Sequence, residues 1–141
     1  MFNNIEFIKF EYNAPYIYDE INVGTNKVED LIDRSLLKGI VAISPGWILI
    51  ELNKEWEFED IEIGGYNGNP NAFAPTNGGG ANILTSNNKI NWVTVGILPH
   101  NYGSFVTSVR ITKSSAKYIK FVSNSYLGIG FLEIKKLKQS K

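Results

Sequence analysis

Ile8-Lys9-Phe10-Glu11-Tyr12 alternates large apolar side chains with charged ones, the period of two that arises when one face of a β-sheet is buried and the other is wet. Runs rich in β-branched and aromatic residues then recur at Gly39 to Ser44, Trp47 to Leu52, Ile61 to Ile63, Ala81 to Thr85, Trp92 to Ile97, Phe105 to Thr112, Lys117 to Val122 and Leu127 to Leu137. With the first segment they predict about nine strands. Clusters of Gly, Pro, Asn and Ser separate nearly all of them. Short strands punctuated in this way indicate an all-β antiparallel sandwich or barrel rather than a parallel α/β sheet.

Two places depart from the strand pattern. Val28, Leu31, Ile32 and Leu36 recur at helical spacing, with Asn26 as a cap, Glu29 and Asp30 in the first turn and Gly39 at the end, so one short helix is expected there. Between Phe58 and Ile61 the apolar parity shifts. Strict alternation forbids that shift, and a loop or a bulge explains it.

At 141 residues the chain is expected to form a single β-sandwich domain over residues 1–141. Fourteen basic residues cancel fourteen acidic ones, so no net field draws the protein to nucleic acid or to an anionic membrane. The chain has no cysteine, which excludes disulfides, thiolate nucleophiles and cysteine-ligated metals. Glu6, Lys9 and Glu11 interrupt the first dozen residues, and the most apolar run, Gly39 to Ile50, is too short to span a bilayer. Neither a signal peptide nor a transmembrane segment is therefore expected.

Gly64 to Asn82, GGYNGNPNAFAPTNGGGAN, carries no charge and holds six glycines, two prolines and five asparagines. Glycine and asparagine tolerate positive φ and proline interrupts a ladder, so this stretch reads as a long loop. Lys135, Lys136, Lys138 and Lys141 form a basic tail, which reads as a solvated terminus that keeps the last strand from pairing with a neighbour. No internal repeat is found.

Three stretches in register resemble the discoidin, or coagulation-factor type C, family of galactose-binding-like jelly rolls. They are Pro45-Gly46-Trp47-Ile48-Leu49-Ile50-Glu51-Leu52, Ser86-Asn87-Asn88-Lys89-Ile90-Asn91-Trp92, and Ala116-Lys117-Tyr118-Ile119-Lys120-Phe121 followed by Leu132-Glu133-Ile134. In the second, the family's usual Asp-Gly turn is replaced. The resemblance covers about residues 28 to 137 and implies an antiparallel jelly-roll-like β-sandwich with one short helix. It also implies ligand-binding loops projecting from one end, here Asn13 to Lys27, Lys38 to Gly46 and Gly64 to Ala81. Several family members hold a structural calcium ion, and Asp33 and Glu133 match those places, although the glycine expected after the aspartate is Arg34 here. Calcium takes about six to eight oxygen ligands and a neighbouring cation opposes it, so a surface Asp33 and a Glu133 paired with a lysine are the other reading.

The inventory for catalysis is thin. His100 is the only histidine and lies in a turn-like stretch, and no nucleophile elbow, P-loop or H-E-x-x-H motif is present. Glu55, Glu57, Glu59, Asp60 and Glu62 read more simply as the solvent face of a strand than as a paired-carboxylate site. No enzyme is expected. Trp47 and Trp92, each at a strand start among aliphatics, read as core or rim anchors.

Ligand recognition fits better. Tyr66, Asn67, Asn69, Asn71 and Phe73 in the long loop, with Tyr16 and Tyr18 from the first one, supply the aromatic faces and amides with which a carbohydrate site stacks on and hydrogen-bonds a sugar. The alternative for Tyr66 and Phe73 is that they fold back to anchor the loop. The partner expected is a glycan or cell-surface ligand. The abundance of Asn, Ile and Lys, the initial methionine and the resemblance to stand-alone sandwiches of phage and virus particles give a second expectation. In it the chain is a structural virion protein, a capsid decoration or tail component, that contacts neighbouring subunits and can form a homo-oligomer.

Overall fold

A computed structural model describes residues 7–12, 40–42, 46–64, 80–99, 106–124, 127–129 and 131–136. Among these residues the regular elements are strands: β1 (Phe7–Tyr12), β2 (Ile40–Ala42), β3 (Trp47–Gly64), β4 (Asn82–Ser86), β5 (Val93–Ile97), β6 (Thr107–Val122), β7 (Leu127–Ile129) and β8 (Phe131–Lys136). The expected helix from Val28 to Gly39 lies outside the described residues. Among those described, no helix is long and apolar enough to cross a membrane.

Every pairing is antiparallel. The main sheet runs β1-β3-β6-β4-β5, with β8 also on β3, and β2 pairs with β7. Two boundaries differ from the sequence expectation. Trp47 to Leu52 and Ile61 to Ile63 belong to one 18-residue strand, and Phe105 to Thr112 and Lys117 to Val122 to one of 16. Conversely, the last predicted run divides into β7 and β8. The charged stretches between the predicted runs are strand because β3 and β6 pair along most of their length.

These two strands stay paired only by shifting register twice. From Glu51 to Trp56 β3 takes five steps while β6 takes two, from Tyr118 to Ala116; from Phe58 to Asp60 β3 takes two while β6 takes four, from Ser114 to Arg110. The extra residues bend the strands and sharpen their twist. Asn53, Lys54 and Glu55 are exposed in the first irregularity. Trp56 closes it, its indole N–H donating to Asn53 Oδ1 at 2.6 Å while the Lys54 ammonium lies 4.5 Å from its ring centre. The second irregularity falls where the apolar parity shifts between Phe58 and Ile61, and it brings both residues into the interior, each with 0% exposure.

The bends divide β3 and β6 into halves with different neighbours. The first half of β3 has β1 at its edge and the second half has β8. Ile48, Ile50, Ile83, Ile119 and Phe121 from one half share a single core with Phe58, Ile61, Ile63, Ile111 and Ile134 from the other. The layers meet closely at Gly96 of β5, where a Cβ would lie 2.9 Å from Ile111 Cγ2 and 3.6 Å from Ile83 Cδ1. Two antiparallel layers thus close over one apolar interior.

Candidate functional site

The register of the strands defines one rim. Trp47, Val122, Asn82 and Ile97 stand in one cross-strand row, and Tyr12 faces Ile48 beside it. Past this row the chain enters or leaves the sheet at Tyr12, Gly46, Ala81, Leu98 and Ser123. Backbone bonds tie these points together: Ser123 N–H donates to Gly46 O at 2.8 Å, Gly80 N–H to Leu98 O at 2.9 Å and Leu98 N–H to Ala81 O at 2.8 Å. Gly80 has φ 86°, a left-handed conformation that glycine adopts without a Cβ penalty. Thus Tyr12, Gly46 and Ala81, each adjoining or within one of the three segments expected to carry the ligand-binding loops, belong to a single rim. Gly64, at the other end of the long segment, pairs with Phe131 of β8.

From this rim the outer face of the sheet runs away from the core. Pairing puts Trp47, Leu49 and Glu51 of β3 on the same side as Val122, Lys120 and Tyr118 of β6, and Leu84 and Ser86 of β4 beyond them. Lysines and aromatic rings interleave on this face. The Lys120 ammonium lies 4.9 Å from the ring centre of Trp92 and 5.7 Å from that of Trp47. Lys89 and Lys117 lie 5.5 and 5.9 Å from the ring centre of Tyr118. Two of the three cations also face carboxylates, Lys89 with Glu11 and Lys117 with Glu51, each at 3.5 Å. Among the described residues Lys120 faces none. Leu49, though it points outward, is only 6% exposed.

The turn from Asn87 to Trp92 completes this face at the opposite rim. Ser86 Oγ accepts from the backbone N–H groups of Asn88 and Lys89, and Asn88 Oδ1 from those of Ile90 and Asn91. Lys89 occupies the left-handed region at φ 64°, a place that the Gly of an Asp-Gly turn would fill without strain. Asn87 reaches β6, its Nδ2 donating to Ser115 O at 3.0 Å and its Oδ1 accepting from Lys117 N–H at 2.9 Å. The carboxamide therefore supplies β6 with two ladder-like bonds just beyond the end of β4.

The ligand candidates read from sequence, Tyr16, Tyr18, Tyr66, Asn67, Asn69, Asn71 and Phe73, lie outside the described residues, as do Asp33, Arg34 and His100. Glu133 is exposed on β8, directly opposite Glu62, whose carboxylate is 3.3 Å from Lys135. Among the described residues no group of three or more acidic, histidine or cysteine side chains is arranged to hold a metal, so Glu133 is the one described member of the expected calcium pair. The acidic row is tied up across strands. Arg110 lies 3.2 Å from Asp60 and 3.8 Å from Glu59, and Ser115 Oγ donates to Glu55 at 2.7 Å. Trp47 and Trp92 are half-buried on the outer face and form no part of the buried core. The sequence signal for Lys120 is the alternation in Lys117-Tyr118-Ile119-Lys120-Phe121, which puts it with Tyr118, opposite the buried Ile119 and Phe121.

No protein-family model and no curated protein sequence matches the chain. Solved structures do match by shape. A pectin-binding carbohydrate-binding module has a TM-score of 0.66 at 19% identity, over 95% of this chain and 94% of that one. The family 32 carbohydrate-binding module of AlyQ, in complex with 4,5-unsaturated mannuronic acid, has a TM-score of 0.67 at 17% identity, over 95% and 98%. A fucolectin from the serum of striped bass, Morone saxatilis, has a TM-score of 0.68 at 16% identity, over 92% of this chain and 47% of that one. At such identities the likeness is one of fold. Together with the antiparallel layers and the shared rim, it shows that this chain has the discoidin-like, galactose-binding-like jelly-roll fold.

Proposed function

We propose that this chain is a non-catalytic binding module that recognises a glycan or cell-surface ligand through the loops at one rim of the sandwich. The observation that carries this reading is the common rim, at which the bases of three segments rich in uncharged polar and aromatic residues come together. Tyr66 and Phe73 supply faces for a sugar ring, Asn67, Asn69 and Asn71 hydrogen-bond its hydroxyls, and Tyr16 and Tyr18 add to them. Pectin binding and bound unsaturated mannuronic acid among the structures of the same fold support a sugar as ligand. Asp33 and Glu133 belong to this proposal as the carboxylates of a structural calcium site. The Asn-, Ile- and Lys-rich sequence supports a setting on a phage or virus particle.

A glycan array with the purified protein tests the reading, followed by Tyr66→Ala and Phe73→Ala. Sugar binding that both substitutions abolish, with the melting temperature unchanged, is the expected result. A large loss of stability would show instead that both rings are packing residues.

One observation favours a second reading, a structural virion subunit acting through protein contacts. Ile90, Val93 and Ile97 are 77%, 61% and 58% exposed along the edge strand β5 and the turn before it, and no charged residue occurs from Ile90 to Pro99. Uncharged edge strands are templates for pairing with another chain. Sedimentation velocity over a range of concentrations separates the two: assembly without sugar binding supports the subunit, and a sugar-binding monomer sinks it.

A further inference from the structure

We infer that Lys120, held between Trp47 and Trp92 on the outer face of the sheet, is the centre of a binding site for a carboxylate-bearing sugar, a uronate, separate from the rim loops. Three features converge on that ligand. The first is charge: of the three lysines on this face, Lys89 and Lys117 face Glu11 and Glu51 at 3.5 Å, whereas Lys120 faces no carboxylate among the described residues. Among the described residues, then, one of the three positive charges on this face is not matched by a carboxylate.

The second feature is chemistry. The ammonium lies 4.9 and 5.7 Å from two indole ring centres. A cation over indole rings is attracted by their negative faces, but these faces accept no strong hydrogen bond, so the N–H donors of Lys120 retain the capacity to bind an oxyanion. A uronate ring carries both groups the site asks for: a carboxylate for the ammonium and an apolar C–H surface for an indole.

The third feature is preorganisation. Lys120, Trp47 and Trp92 are all half-buried, and the rings on either side restrict a side chain that otherwise loses much rotamer freedom on binding. Access is preserved, since Lys120 is itself only half-buried. A neutral sugar offers the ammonium only uncharged hydroxyl acceptors, which bind it more weakly than a carboxylate does, so the site favours a uronate by charge.

This inference rests on the glycan-binding reading but uses different residues, which allows the two to be tested apart. The chain has three tryptophans, so an amide correlation spectrum of labelled protein resolves three indole N–H signals. The protein is titrated with tri-galacturonate and, separately, with a neutral galactose trisaccharide. The uronate is expected to shift the Trp47 and Trp92 signals and leave that of Trp56, which lies at the β3 irregularity. Lys120→Met should weaken uronate binding about tenfold, and Lys120→Arg should retain it, which also guards against a loss that merely reflects misfolding. If Tyr66→Ala and Phe73→Ala abolish uronate binding while Lys120→Met leaves it intact, the face site is overturned and the rim reading stands. If tri-galacturonate moves neither the Trp47 nor the Trp92 signal, the face site falls, whereas the rim reading stands or falls by the glycan array.

Discussion

Gly96→Ala tests the closure of the two layers directly. The new methyl carbon would lie 2.9 Å from Ile111 Cγ2, well inside van der Waals contact. Cγ2 is attached to the Cβ of a β-branched residue and cannot swing aside without turning χ1. Ile111 is itself only 4% exposed and Ile83 not at all, so neither has open space to enter. Overpacking of this kind costs about 1–3 kcal/mol, and the reduced freedom of the unfolded chain offsets about 0.4–1 kcal/mol of it. The central values, about 2 and about 0.7 kcal/mol, leave a net loss of about 1.3 kcal/mol. With an unfolding entropy of about 0.3 kcal/mol/K for a chain of this length, the melting temperature should fall by about 4 °C. Calorimetry and urea denaturation measure this, with the denaturant slope unchanged. Ile111→Ala alone should cost about 2–5 kcal/mol, but the double variant should cost less than both single losses combined by about 1 kcal/mol, because the truncation makes room for the methyl group. An unchanged or raised melting temperature for Gly96→Ala, or strict additivity in the cycle, would refute the close approach of β5 to the first half of β6.

Asn87→Ala removes both bonds to the β6 backbone; because water partly replaces them, the expected cost is about 1–2 kcal/mol, together with faster hydrogen exchange at the Lys117 amide, and unchanged exchange would argue against the clasp. If Asp33 and Glu133 hold calcium, the ion at a hundredfold excess over its dissociation constant should stabilise the protein by about 2.7 kcal/mol, read as a rise in melting temperature that chelator reverses and Glu133→Gln prevents. No response to calcium sinks that expectation.

The strands were legible because their alternation survives wherever one face is buried. Phe10 and Tyr12 oppose Ile50 and Ile48 in the register that their parity predicts, and the fault between Phe58 and Ile61 marks a real bulge. Strand length was less legible. The stretch Asn53, Lys54, Glu55 is polar and exposed and looks like a loop, yet pairing on either side of it makes β3 continuous. Tertiary pairing overrides local composition there. The outer face was hidden for a related reason. A tryptophan at a strand start reads as a core or rim anchor because of its size, and only its position in the alternation, opposite to Ile48 and Ile50, sets Trp47 on the face of Glu51 and Lys120.

That parity also explains why Trp47 is neither buried nor fully exposed. It stands in the rim row with Asn82 and Ile97, and its ring also borders the lysine one row further down the face. The inner side of β3 is already filled at that level by Ile48, which has 0% exposure, so the indole has no place in the core. On the outer side it shares a face with Leu49, and its ring lies 5.7 Å from the Lys120 ammonium. A packing role and a ligand-contacting role are therefore compatible in this residue. The same half-burial that keeps its ring fixed leaves an edge for a sugar to meet, and rows two residues apart along a strand are separated by about 7 Å. Trp47 thus stands in the rim row by its backbone while its ring borders the lysine-bearing face.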